Sequence, residues 1–155
     1  MNSRKGAVVF LSWLSVLLWM AFIFLLSAQA GDESASLSGG FVDILGAFVR
    51  IIIPNIGDDA LHLLVRKLAH MGEYSVLVIL LVNALRQHFY RKRVIYTYAV
   101  SISLLYAVSD EVHQVFVPAR SGTLVDVLID GLGVLIGVLL FELFVQVFKP
   151  GNDNL

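Results

Sequence analysis

The sequence predicts an all-α membrane protein with four transmembrane helices and an interfacial amphipathic helix between the first and second. Three observations lead there. The 155 residues are 58% hydrophobic with mean hydropathy +0.84, and only 15% are charged. A soluble domain of this length cannot bury so much apolar side chain, so a bilayer is its natural solvent. The apolar residues gather in long runs, and Lys and Arg crowd the turns at one end of those runs. No internal repeat divides the chain, which is expected to form a single domain over residues 1–155.

The first span is Ala7–Ala28, an uncharged run of 22 residues. At ~1.5 Å per residue it crosses a hydrocarbon core of ~30 Å. Arg4, Lys5 and the small-residue ending Ala28–Ala30 also resemble a secretory leader with its cleavage site. Such leaders have apolar cores of ~7–15 residues, so a retained anchor is the better fit. A polar loop, GDESASLSGG, follows. In FVDILGAFVRIII, Phe41, Ile44, Leu45, Phe48 and Ile52 then fall on one helical stripe, with Asp43 and Arg50 on another. That pattern predicts a helix lying in the membrane interface, or else one packed against the bundle. PNIGDD ends it, with Asp58 or Asp59 as the expected N-cap of the next helix.

The second span is expected over about Leu68–Leu85, the third over Val94–Ser109 and the fourth over Leu124–Phe148. With the N-terminus inside, the cytoplasmic side holds Arg4, Lys5, Arg86, Arg91, Lys92, Arg93 and Lys149. The opposite side holds Arg50, Arg66, Lys67 and Arg120. The basic turn RQHFYRKR is the strongest single orientation signal, and it places both termini in the cytoplasm.

Given that topology, the polar residues fall in one outer layer. Counting back from Leu85 sets His70 and Glu73 ~5–10 Å below the outer boundary. Asp110, Glu111, His113 and Gln114 end the third span at the same level, and Asp126 and Asp130 begin the fourth there. Lys67, His70 and Tyr74 share one helical face, as do Arg66, His70 and Glu73. Asp126 and Asp130 lie one turn apart and continue into Gly133 and Gly137, a pair that allows close helix approach. Lys67 and Arg120 face five carboxylates, an excess that calls for protons, charged histidines or a bound cation.

Residues of these types at head-group depth suit a lipid phosphate or another amphiphilic anion. Lys67 and Arg120 would bind it, Arg120 through its two-pronged guanidinium, with Tyr74, Gln114, Asp126 and Asp130 completing the binding surface. His70 or His113 would act as general base, oriented by Glu73 or Asp110, with Glu111 as a second acid or base. No cofactor motif is present. The pairs His70/Glu73 and Asp110/His113, with Asp126 and Asp130, also have the i, i+3 form of ligands for a divalent metal in helical bundles. Two other outcomes stay open: a site that only binds or shields its ligand, and helix-linking ion pairs such as Lys67–Glu73 and Arg120–Asp126. Net charge of −1 argues against a nucleic-acid partner, and the lack of cysteine excludes thiol chemistry. Glu142 is expected to snorkel or to pair with Lys149.

KLAHMGEYSVL followed by YAVSDEVHQVFVPARSGTLVDVLIDGLGVLIG resembles the VanZ-like family of bacterial membrane proteins. The matching positions are Lys67, His70, Glu73 and Tyr74, then Asp110, Glu111, Gln114, Phe116, Pro118 and Arg120, then Asp126, Asp130 and Gly133. SAQ at Ser27–Gln29 is similar to that family's Ser-rich ending of the first span. Asp130 stands where many members carry Asn. The resemblance implies a multi-span inner-membrane protein. It also suggests a tie to the cell envelope, with a lipid-linked precursor or a glycopeptide among the partners, because the founding member is associated with teicoplanin resistance.

Overall fold

The computed structural model describes residues 3–29, 39–118, 120 and 122–148. Its only regular secondary structure over these residues is α-helix, with α1 (Ser3–Ser27), α2 (Gly39–Ile52), α3 (Asp58–Leu85), α4 (Lys92–Gln114) and α5 (Leu124–Phe148). Most of the loop GDESASLSGG, the side chains of Phe41–Leu45, and Lys149 lie outside the described residues.

Three of these helices, α1, α3 and α5, are long and apolar enough to cross a membrane. Four were expected, and α4 falls short on composition. Tyr96, Thr97, Tyr98, Ser101, Ser103 and Tyr106 interrupt its apolar run. Several of those groups are used inside the bundle. The Tyr106 hydroxyl donates to the Met20 carbonyl of α1 at 2.6 Å, Tyr96 donates to Glu142 of α5, and Ser103 is wholly buried. α4 also runs on past Ser109 through DEVHQ, so the carboxylates Asp110 and Glu111 are helical and buried. Likewise α3 begins at Asp58, beside its expected N-cap and well before the apolar span expected from Leu68. Its 28 residues span ~42 Å at ~1.5 Å each, longer than a hydrocarbon core, so charged residues that close an apolar run need not close the helix.

α3 is the centre of the bundle and packs against each of the other helices, most extensively against α5. Its Leu77, Val78 and Leu81 form the core with Val16 and Ile23 of α1, Ala99 and Ala107 of α4, and Val134 of α5. The α3–α5 contact is close because Gly133 and Gly137 face α3. A Cβ at Gly133 would strike the backbone of Met71, and one at Gly137 the backbone of Ser75. At this crossing the Ser75 hydroxyl lies 2.7 Å from the carbonyls of both Met71 and Gly133, one on each helix.

Cross-helix contacts fix which ends lie together. The Trp13 indole donates to His88 at 3.0 Å, which brings the first half of α1 to the α3–α4 turn. Lys92 pairs with Glu142 at 2.9 Å, bringing the end of α5 to the same place. Glu142 thus has Lys92 and Tyr96 of α4 as partners, and the expected Lys149 lies outside the described residues. At the opposite end, Arg120 donates to the Leu26 carbonyl at 3.1 Å. The basic turn therefore occupies one end of the bundle, and the polar layer of α3, α4 and α5 the other.

α2 is an accessory to α3. Val49 and Ile56 pack on Leu61 and Val65, while Phe48, Ile51 and Ile52 are exposed. The structure places Gly57 at the α3 N-cap with no side-chain cap. Asp58 and Asp59, the expected caps, sit instead in the first turn, where negative charge complements the helix dipole, and Asp58 pairs with Arg50 at 2.5 Å.

Candidate functional site

At the end opposite the basic turn, a small, partly open cleft is lined by Arg66, Lys67, His70, Gln114, Arg120, Asp126 and Ile129. Its walls come from α3, the end of α4, the following loop and the first turn of α5. Local sequence explains the shape. Val115 and Phe116 close the last turn of α4 onto its own carbonyls, and Gly122 lies back against that turn. Gly122 must be glycine here, since a Cβ would strike the Glu111 carbonyl.

α5 is started by Thr123. Its hydroxyl accepts the Asp126 N–H at 3.2 Å and lies 2.8 Å from the Asp126 carboxylate. This is a capping arrangement that settles one orphan donor of the first turn. The Thr123 N–H is taken by Glu111 Oε2 at 2.8 Å, a carboxylate from another helix in the place a capping-box Glu would fill. Glu111→Ala is therefore expected to cost about 1–3 kcal/mol by orphaning that donor. Glu111→Gln keeps an acceptor and should melt close to wild type. Thermal unfolding of the detergent-solubilised protein checks both, and equal losses would refute the capping role.

Lys67 Nζ lies 2.7 Å from Asp126 Oδ1, with side-chain exposures of 29% and 21%. Both expected pairings, Lys67–Glu73 and Arg120–Asp126, are thus replaced by a single α3–α5 bridge, because Lys67 points up the cleft while Glu73 lies a turn and a half deeper. Glu73 has His70, Asp110, Asp130 and Arg120 as its charged neighbours. Arg120 feels Asp110, Glu73 and Glu111. Burial and then the nearby Arg66 guanidinium draw its pKa below the ordinary arginine value. Asp110 accepts from Gln114 at 3.0 Å on the same helix.

Behind the cleft, His70 Nδ1 lies 3.6 Å from Oδ1 of Asp130, which has no exposed surface. Single ligand-type atoms of His70, Glu111 and Asp130 lie within 4.8 Å of one another. Oxygens of Asp110, Glu111 and Asp130 are buried without a hydrogen-bond partner.

The expected site residues thus divide. Lys67, His70, Gln114, Arg120 and Asp126 line the cleft; Asp110, Glu111 and Asp130 are buried, and Glu73 is half-buried beside them. Tyr74 is wholly buried in the bundle, with its ring 6.4 Å from that of Tyr106, and is not part of the lining. His113 stacks on Phe24 of α1 at 4.5 Å and is not part of the lining either. Asp110, expected to orient His113, holds Gln114 instead: both are one turn away or nearer, and only Gln114 points inward. Arg66 was not singled out as a ligand residue, although its i, i+4 relation to His70 placed it on this face.

A family model described as VanZ/LLP1 matches residues 11–145. No curated protein and no solved structure gives a match.

Proposed function

Because the chain belongs to the VanZ/LLP1 family, we propose that it is a bacterial inner-membrane protein whose cleft receives the anionic head group of an envelope lipid or lipid-linked precursor. Four crossings serve this arrangement. α4 runs from the basic end to the cleft end among three helices that are apolar enough to span, so it shares their path. The basic turn then faces the cytoplasm, as positive residues prefer, both termini lie there, and the cleft opens outward.

The observation that carries the proposal is the convergence of Arg66, Lys67 and Arg120 on one cleft at a bundle end flanked by exposed apolar side chains. Guanidinium and ammonium groups bind phosphate by charge-assisted hydrogen bonds of about 1.5–3 kcal/mol each. The exposed Phe116, Leu124 and Leu128 beside it offer apolar surface to the tails. A link to glycopeptide tolerance follows where the captured head group belongs to a cell-wall precursor.

The test is binding by the purified full chain of short-chain phosphatidylglycerol and, separately, of a polyprenyl diphosphate. Removing two cations by Arg66→Gln with Lys67→Gln is expected to weaken Kd at least tenfold. Unchanged affinity in that variant would sink the proposal, and preference between the two probes separates membrane lipid from precursor.

A catalytic version is favoured by one feature: His70 lines the cleft with Asp130 behind it. Mass profiles of lipids and peptidoglycan fragments separate it from simple capture. Cells with wild type and with His70→Ala at matched membrane levels would differ by a covalent product only if the site turns over.

A further inference from the structure

We propose that His70, Glu111 and Asp130 bind one first-row divalent metal ion at the floor of the cleft, between α3, α4 and α5. The ion is argued from the buried layer alone and goes beyond head-group capture, so either can fail without the other.

Distance is the first argument. His70 Nδ1 and Asp130 Oδ1 are 3.6 Å apart, too far for a hydrogen bond. Two ligands held at ~2.0–2.1 Å from one ion, at the angles of a tetrahedral or trigonal site, stand ~3.3–3.6 Å apart. The wider group, all within 4.8 Å, has to draw in by up to about 1.2–1.5 Å to reach that spacing. Glu111 is placed for this: Oε2 is held by the Thr123 N–H, and Oε1 is buried with no hydrogen-bond partner.

Unmet demand is the second. Asp130 is 0% exposed and neither of its oxygens has a hydrogen-bond partner; Glu111 is 5% exposed. A buried carboxylate without donors is costly by several kcal/mol, and one cation relieves two of them together. Charge agrees. Once Lys67 has taken Asp126, Glu73, Asp110, Glu111 and Asp130 remain, with the Arg120 guanidinium near the first three, an excess a divalent ion largely cancels.

Donor type sets the metal. One imidazole and two carboxylates form a mixed nitrogen and oxygen set that favours Zn²⁺, Fe²⁺ or Mn²⁺ over the all-oxygen ions Mg²⁺ and Ca²⁺. Three protein ligands leave a coordination position open, as in sites where a metal meets a ligand from outside. His70 lines the cleft, so that position faces it.

The test uses untagged full-length protein in detergent, stripped with a chelator and titrated with Co²⁺, whose visible absorption reports its ligands, and then with Zn²⁺ in competition. One saturable site per chain is expected, displaced by Zn²⁺ and not by Mg²⁺. His70→Ala, Glu111→Gln and Asp130→Asn should each weaken it at least tenfold, while Glu142→Gln at the other end should leave it unchanged. Absence of saturable uptake by the wild type overturns the proposal whatever the variants do. Wild-type affinity in all three ligand variants overturns it as well.

Discussion

Gly133→Val is expected to remove most of the folded protein from the membrane. A side chain there meets the backbone of Met71, which no rotamer change can move aside. Overpacking in a close-packed interior costs about 1–3 kcal/mol when side chains can yield, and this contact is with a helix backbone, so the upper end or beyond applies. The same crossing carries the Ser75 bridge to the Gly133 carbonyl, which would be lost with it. Gly72→Ala is the matching control. Nothing lies within 4 Å of a Cβ at that position, and replacing a mid-helix glycine by alanine gains roughly 0.5–1 kcal/mol. Membrane abundance and the melting temperature in detergent read both. A Gly133→Val protein as abundant and as stable as Gly72→Ala would mean that α3 and α5 do not cross as closely as described.

The second large effect concerns Lys67 and Asp126. Breaking the pair by Lys67→Asp sets two carboxylates side by side in a partly buried place, at an expected cost of roughly 1–3 kcal/mol, and abolishes ligand capture. Adding Asp126→Lys restores opposite charges across the same gap. If the pair is only a brace, the double exchange recovers stability and function together. A cleft that uses Lys67 to meet an anion predicts a different result: stability returns, while binding of the anionic probe stays at least tenfold weaker. Melting temperature and lipid titration on the same three proteins separate the two outcomes.

Much of this could be read from the chain. The four apolar runs appear as the four long helices, and the spacing of Gly133 and Gly137 announced a close crossing. The polar layer at one end of the bundle was visible because helical periods from Lys67, Asp110 and Asp126 reach the same level. Other features depend on three-dimensional placement. Lys67 and Asp126 are 59 positions apart, and which of five carboxylates a lysine meets is decided by how α3 and α5 rotate against each other. His113 is polar and one turn from Asp110, which made it a natural base. Only the packing of α1 on α4 shows its ring against Phe24. The role of Glu111 at the head of α5 needed the loop to fold back, a reversal that local sequence marks only by Pro118 and Gly122.

The polarity of α4 bears on how the protein is made. Tyr96, Tyr106 and Glu111 find partners on α5, α1 and the loop before α5, so α4 alone is a poor guest for lipid. Chains emerge from the ribosome at ~5–20 residues per second, which puts α5 only seconds behind. The thermodynamically sound unit of insertion is then the α4–α5 hairpin, clasped at one end by Lys92 and Glu142 and at the other by Glu111 and Thr123. Glu111, one of the carboxylates at the cleft end, is thus also part of what joins the last two helices into a single unit of insertion.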